Sequence, residues 1–277
     1  MSIGVGTVGK NQRKLSSSEI NCMHVLVALR LVPDTAEEFE LTADNKDIDR
    51  EWIGFKLNEF DDHALEEAVV LKEKHGAKVT AVALQGEGID RLLQTALARG
   101  ADNVAKIAHD MPPPVPAPAA ARLFAAAAKS IECDLILTGV QTGEDLFGQL
   151  APSLGAVLDW PQVSAVSSTK VDDGAVIVQQ EYSGGFTATH SVRMPAILGI
   201  QTASAPPRYV SGSKLREAMS AKVQSLKLDV ELPLTVSEIL AVGFPESAGR
   251  AEMVGGEADV VADRLAEFLR ERGFVNG

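Results

Sequence analysis

The chain is short of the groups that most often declare a chemistry. Of its 277 residues only two are cysteine, Cys22 and Cys133. Neither belongs to a CxxC pair, and no Cys/His cluster has metal-ligand spacing, so no metal site is expected. So few thiols fit a reducing cytoplasm, which is the expected localisation. Cys133 stands directly before an apolar run and reads as a buried thiol. No apolar run approaches the roughly 20 residues that cross a bilayer, so no membrane insertion is expected. Positive charge is scarce as well. The 26 Lys and Arg against 38 Asp and Glu leave a net charge of −12. That balance argues against nucleic acid and against an anionic membrane surface as partners, while leaving room for a basic patch on another protein. No Ser-His-Asp order, nucleophile elbow, HExxH or P-loop is present, and the loop glycines Gly86 and Gly88 lack GxGxxG spacing. The five histidines are scattered, and His63 and His75 read as solvated helix residues. Asp61-Asp62 and Glu66-Glu67 are carboxylate neighbours. Adjacent side chains on a helix diverge by about 100°, so neither pair can share a proton, and both are expected on a solvated face. The residues thus suggest an α/β nucleotide-binding protein that is not an enzyme and has no catalytic residues of its own.

What is present is a regular alternation of strands and helices. Residues 1–22 are rich in Gly, Ser and Asn, lack the apolar core of a signal peptide and are expected to be poorly ordered, with Met23 a candidate start. His24 to Leu29 reads as a first buried strand. The segment Asp34 to Lys56 is acidic and irregular. Asn58 is placed to cap a helix whose apolar stripe is Ala64, Leu65, Ala68, Val69 and Leu71 and which Gly76 ends. Lys78 to Leu84 is a second strand, Ile89 to Arg99 a helix, Asn103 to Ile107 a third strand. A Pro-rich connection from Met111 to Pro118 leads into an Ala-rich helix over Ala119 to Ser130.

The next unit organises the rest. Leu135-Ile136-Leu137 is a short apolar strand, Gln141 to Asp145 a polar loop, and Leu150, Leu154, Val157 and Leu158 the apolar face of a helix. Free N–H groups in a first helical turn favour an anion above the strand's carboxyl end, near Phe147 here. The same pattern also describes an ordinary strand–loop–helix unit without a ligand. The alternation predicts a parallel sheet with right-handed crossovers and helices on both faces. Val163 to Val171 and Ala175 to Tyr182 flank Asp172-Asp173-Gly174, a hairpin signal. With Phe186 to Arg193 and the apolar Ala196 to Ile200, they predict an antiparallel extension. Residues 223–256 show no sustained period, and Glu257 to Arg272 is an amphipathic helix. The organisation read from the chain is an extension over 1–22, a nucleotide-binding α/β domain over 23–204, and a docking loop with a C-terminal arm over 205–277. Such an arm packs either on a partner chain or on its own domain.

Several stretches together resemble one family, the β subunit of electron transfer flavoprotein. They are VLVALRLVPD at 25–34, LNEFDDHALEEAVVLKE at 57–73, TALARGAD at 95–102, GVQTGEDLFGQLAPSLGAVLDWPQ at 139–162 and PAILGIQTASAPPRY at 195–209. GRAEMVGG at 249–256 is similar to the tail of the branch serving methylamine-type dehydrogenases. The resemblance implies a Rossmann-like fold of the adenine nucleotide alpha hydrolase type. It implies a heterodimer in which the alpha subunit carries a redox-active FAD and this chain binds a structural AMP. Electrons would pass from acyl-CoA or methylamine-type dehydrogenases to the FAD and on to a membrane quinone oxidoreductase. The AMP site carried over would comprise Ala28, Asn58, Gln85, Asp145, Gly148, Gln149 and Leu150, with Phe147 beside it. Phe60 matches an aromatic near the flavin ring, or else packs in the chain's own core. Where relatives carry Asn and Thr around Gln149, this chain has Gly148 and Leu150, so phosphate contacts would come from the main chain. The family's leucine anchor for the dehydrogenase falls at Gly212, with Leu215 the nearest replacement. A bifurcating relative with a second FAD is the alternative within the family. It is disfavoured because Phe60 is retained where such proteins carry an acidic residue. A stand-alone ATP-binding stress-type protein is the alternative outside the family.

Overall fold

In β1 (His24–Leu29) alternate residues feed two separate cores. Val25, Val27 and Leu29 join one apolar cluster and Leu26 and Ala28 the other, all essentially without solvent contact. A strand covered on both faces reads as a continuous apolar run, which is how it stands in the sequence. The computed structural model describes residues 23–36, 38–145, 147–232, 239–244 and 253–275. The extension expected over 1–22, Cys22 and the first half of GRAEMVGG lie outside the described residues.

Contacts divide the chain into two units. The first holds residues up to 40 and from 49 to 238. Residues 205–232, read from sequence as part of an arm, lie in it with the α/β core. After β1 come β2 (Leu31–Pro33) and β3 (Phe55–Leu57), a small antiparallel pair bracketing the stretch read as irregular. They are followed by α1 (Glu59–His75), β4 (Lys78–Leu84), α2 (Ile89–Arg99), β5 (Asn103–Ile107), α3 (Ala117–Ile131), β6 (Leu135–Gly139) and α4 (Leu150–Leu158). Then come β7 (Gln162–Asp172), β8 (Ala175–Glu181), β9 (Thr187–Arg193), β10 (Ala196–Ile200), α5 (Gly212–Ala218) and β11 (Gln224–Leu226). The main sheet has nine strands in the order β11-β5-β4-β1-β6-β10-β7-β8-β9. Pairing is parallel from β11 to β7 and antiparallel through β8 and β9. Helices α1 and α2 cover one face, α3 and α4 the other.

The structure corrects the reading of the extension. Ala196–Ile200 does not continue the antiparallel wing. It returns to the middle of the sheet, parallel to both β6 and β7. All five of its residues are buried, which suits an apolar run with neighbours on both edges and both faces. A smaller correction concerns α4, where Val157 is exposed and Ala151 and Gly155 complete the packed face.

The larger correction concerns α1. Nine of its 17 residues are buried, and they include Asp61, Glu66 and Glu67. These carboxylates are not a solvated face. Each is buried because a distant partner meets it. Arg30 takes Asp61, and Arg208 takes Glu66 through Nε and Nη2. Ser204 donates from N and Oγ to Glu67, and Thr169 Oγ1 donates to the same carboxylate. Burial of a charge is tolerable only when it is paired and hydrogen-bonded in this way. The divergence of neighbours does hold, since Asp62 turns to Arg99 while Asp61 turns to Arg30. His63 is likewise engaged, its Nδ1 accepting from Ala203 N at 3.2 Å. Cys133 is buried, and that burial pushes its thiol pKa up to about 12.

The second unit comprises Leu41–Ile48 and residues from Ile239 onward. Leu41 and Ile48 form an antiparallel bridge, and Val242 N donates to Asn45 O at 2.7 Å. Its helix α6 (Ala258–Glu271) has no buried residue. Val260, Leu265, Phe268 and Leu269 are exposed on it, and Arg272 lies over the Phe268 ring. Among the described residues no helix is long and apolar enough to cross a membrane.

Candidate functional site

The carboxyl ends of β1 and β6 lie side by side, with β4 beyond β1 and β10 beyond β6. The helices leaving this edge go to opposite faces, which makes it the place where an open α/β sheet forms a crevice. Arg30, the first residue after β1, organises it. Its Nε and Nη2 bind the two carboxylate oxygens of Asp61 at 2.9 and 2.7 Å. Its backbone N donates to the same carboxylate, and Nη2 also reaches Gly139 O at 3.1 Å. Gly139 N completes the knot by donating to Asp61 Oδ1 at 2.8 Å. One fully buried carboxylate thus locks together the end of β1, the start of α1 and the end of β6. Gly139 is needed there, because a Cβ would stand 2.3 Å from Asp61 Oδ1 and 2.6 Å from the Phe60 carbonyl carbon.

The loop between β6 and α4 turns on Asp145. Its carboxylate accepts from Gln149 N at 3.1 Å and Leu150 N at 3.3 Å. Its backbone N donates to Thr142 Oγ1 at 2.9 Å, and its carbonyl accepts from Gly148 N at 3.0 Å. Arg30 Nη1 stands 3.8 Å from Asp145 Oδ2. Gly148 has φ +61°, and a Cβ added to it would sit 2.5 Å from Val140 O. The start of α4 therefore carries a self-supplied anion within reach of a guanidinium. A ligand oxyanion arriving there competes with Asp145 for the same N–H groups, and Arg30 is placed to receive the displaced carboxylate.

The structure brings together most of the residues read from sequence. Ala28 lies buried in β1 opposite Val82 and Thr138. Asn58 stands at the N-cap position of α1 but makes no cap bond. Its Nδ2 crosses to Gln141 O at 2.9 Å and ties the edge loop to α1. Phe60 is half-buried, and Phe147 is 88% exposed in the loop. Gln85 is exposed at the end of β4, with its N–H given to Ile107 O. Gly212 and Leu215 lie elsewhere, on α5. That helix is capped by Ser211, Leu215 is half-buried, and Gln94 of α2 donates to Met219 O and Ala221 O just beyond it.

Sequence reasoning missed Arg30, Thr142 and the true role of Asp61. A signal for Arg30 existed. A cation directly after a fully buried strand at the sheet's carboxyl edge has no solvent-facing segment around it, so it must find a carboxylate.

The geometry meets independent comparisons. The family model for the electron transfer flavoprotein domain matches residues 47–231. The chain is 30% identical over 262 residues to the electron transfer flavoprotein subunit beta of Bacillus subtilis, covering 91% of this chain and 100% of that one. It is 27% identical over 261 residues to that of Methylophilus methylotrophus, covering 90% and 98%. It is 30% identical over 257 residues to the human subunit, again covering 90% and 98%.

Proposed function

The chain belongs to the electron transfer flavoprotein family, and from that premise we propose that it is a β subunit which binds AMP and supports the FAD of an alpha subunit. Electrons then pass from a dehydrogenase of the acyl-CoA or methylamine type, through that FAD, to a quinone oxidoreductase. The observation that carries the nucleotide reading is the β6–α4 edge. A backbone in the left-handed region at Gly148, a helix start with N–H groups at Gln149 and Leu150, and Asn58 closing the loop suit an adenine nucleotide. Ala28, Asn58, Gln85, Asp145 and the Gly148–Leu150 turn would hold it, with Phe147 at the rim. FAD, when bound by the partner, supplies the one- and two-electron chemistry. This chain's part is to fix the edge and, through Phe60 at the start of α1, to line the flavin side.

Heat-released nucleotide identified by mass spectrometry tests the reading. One AMP per chain is expected. The chain expressed alone should be nearly colourless, and co-expressed with its alpha partner it should be yellow with one FAD per heterodimer. Two FAD per heterodimer would indicate the bifurcating type, and bound ATP a stand-alone nucleotide protein.

The dehydrogenase contact is proposed on α5, at Leu215 beside Gly212. Leu215→Ala should weaken dehydrogenase affinity by about 1–3 kcal/mol, the scale of an interface anchor, while AMP content and melting temperature hold. A variant that melts lower but accepts electrons at the original rate would place Leu215 in the core instead.

A further inference from the structure

A cavity of about 260 Å³ opens between α1, the end of α2 and the segment running into α5. It is separate from the β6–α4 edge, and its lining includes Lys72, Glu73, Arg99, Arg208 and Lys214. Four of these five charged residues are cations. Glu73 is the one carboxylate, and Arg208 occupies both of its oxygens at 2.6 and 3.1 Å. Lys72 Nζ is spent on Gly100 O and Asp102.

Arg99 and Lys214 are left. Arg99 is only 8% exposed. Its Nη1 meets Asp62, and its Nη2 lies 3.8 Å from Glu66 Oε2, too far for a hydrogen bond. Nε and Nη2 are buried without an acceptor among the described residues. Buried donors are almost always satisfied, so two orphan N–H groups on one buried guanidinium point to a missing acceptor. Burial and the neighbouring Arg208 both weaken the hold of Arg99 on its proton. Lys214 Nζ has no acceptor among the described residues either, and it approaches the cavity from α5.

We propose that this cavity binds a free inorganic oxyanion of the phosphate class, held chiefly by Arg99 and Lys214. A tetrahedral ion offers the acceptors that Arg99 lacks, in the fork geometry guanidinium groups prefer. Because Lys214 lies on α5 and Arg99 on α2, the ion ties the two helices together. Among the described residues Gln94 also joins α2 to the chain just past α5, donating to the carbonyls of Met219 and Ala221. The site is separate from the nucleotide edge, and its Lys214 lies on the helix proposed for the dehydrogenase contact.

Equilibrium dialysis of the full chain, with its nucleotide in place, against labelled inorganic phosphate at constant ionic strength tests it. The expected result is saturable binding of one phosphate per chain. Lys214→Gln should raise the Kd about tenfold, a loss of about 1.4 kcal/mol, and Arg99→Lys should weaken binding further. Should Arg99→Lys fail to fold, the exposed Lys214 carries the test alone. Gly148→Val, which alters only the β6–α4 edge, should leave phosphate binding intact. Absence of saturable binding would overturn the proposal. So would binding indifferent to Lys214→Gln, or binding abolished by Gly148→Val.

Discussion

Asp61→Ala is expected to cost about 3–5 kcal/mol of folding free energy, the range for breaking a buried ion pair from one side. Asp61 has no solvent exposure, and its carboxylate serves Arg30 N, Nε and Nη2 as well as Gly139 N. Alanine removes the acceptor shared by Arg30 N, Arg30 Nε and Gly139 N, and leaves Nη2 only Gly139 O, in a site where the Arg30 side chain is just 15% exposed. For a chain of this size the loss corresponds to a fall in melting temperature of roughly 10 °C. Asp61→Asn should lose less, since one oxygen remains to accept from Gly139 N or from Arg30. Differential scanning calorimetry of the three proteins measures the series. If the alanine variant melts with the parent protein, the knot contributes nothing and the edge is held by packing alone.

The second large effect is on the nucleotide. Gly148→Val combines two penalties. Valine is strained at a φ of +61°, and its Cβ would fall 2.5 Å from Val140 O, a distance no real contact allows. The turn must open, at a cost of about 1–3 kcal/mol. The Gln149 and Leu150 N–H groups then leave the positions at which Asp145 now collects them. AMP content after gel filtration should fall at least tenfold, equivalent to about 1.4 kcal/mol in affinity. The sheet and the alpha-subunit interface should persist, since β6 and α4 are anchored by Leu137, Leu150 and Leu154 in the two cores. Undiminished AMP in a folded Gly148→Val protein would move the nucleotide away from this loop.

Local signals made much of the sheet readable. The ends of β4, α2 and β5 fall where glycines and changes of period punctuate the sequence. The hairpin at Asp172–Gly174 was legible for the same reason. Strand order was not. Five apolar residues at Ala196–Ile200 say that both faces are covered, but nothing in them names the neighbours. The three shortest strands, Leu31–Pro33, Phe55–Leu57 and Gln224–Leu226, have only three residues each. Too few positions alternate there to make a period.

The carboxylates of α1 show where local reasoning ends. From sequence alone Glu66-Glu67 resembles any charged helix surface, because their partners lie more than 100 residues away at Thr169, Ser204 and Arg208. The candidate site was split in the same way. The β6 loop, its glycine and its helix start were visible as a pattern, and most of the individual positions came from the family resemblance. Arg30, which holds the edge together, lies inside the matching stretch at 25–34 but was given no role there.

The place of β10 has a consequence for how the chain is made. Synthesis delivers β6, then β7, β8 and β9, before the residues that separate β6 from β7 exist. Until Ala196–Ile200 leaves the ribosome, β6 has one side open and β7 lacks its parallel neighbour. An open, apolar strand edge invites pairing with the wrong segment or another chain. The antiparallel wing can close by itself through short local turns, and β10 must then enter a gap two strand spacings wide. Assembly of the central sheet is thus reserved for a late stage of translation, after about 200 residues have emerged. The edge on which Arg30, Asp61 and Gly139 meet borders that gap, so its full rigidity arrives only with β10.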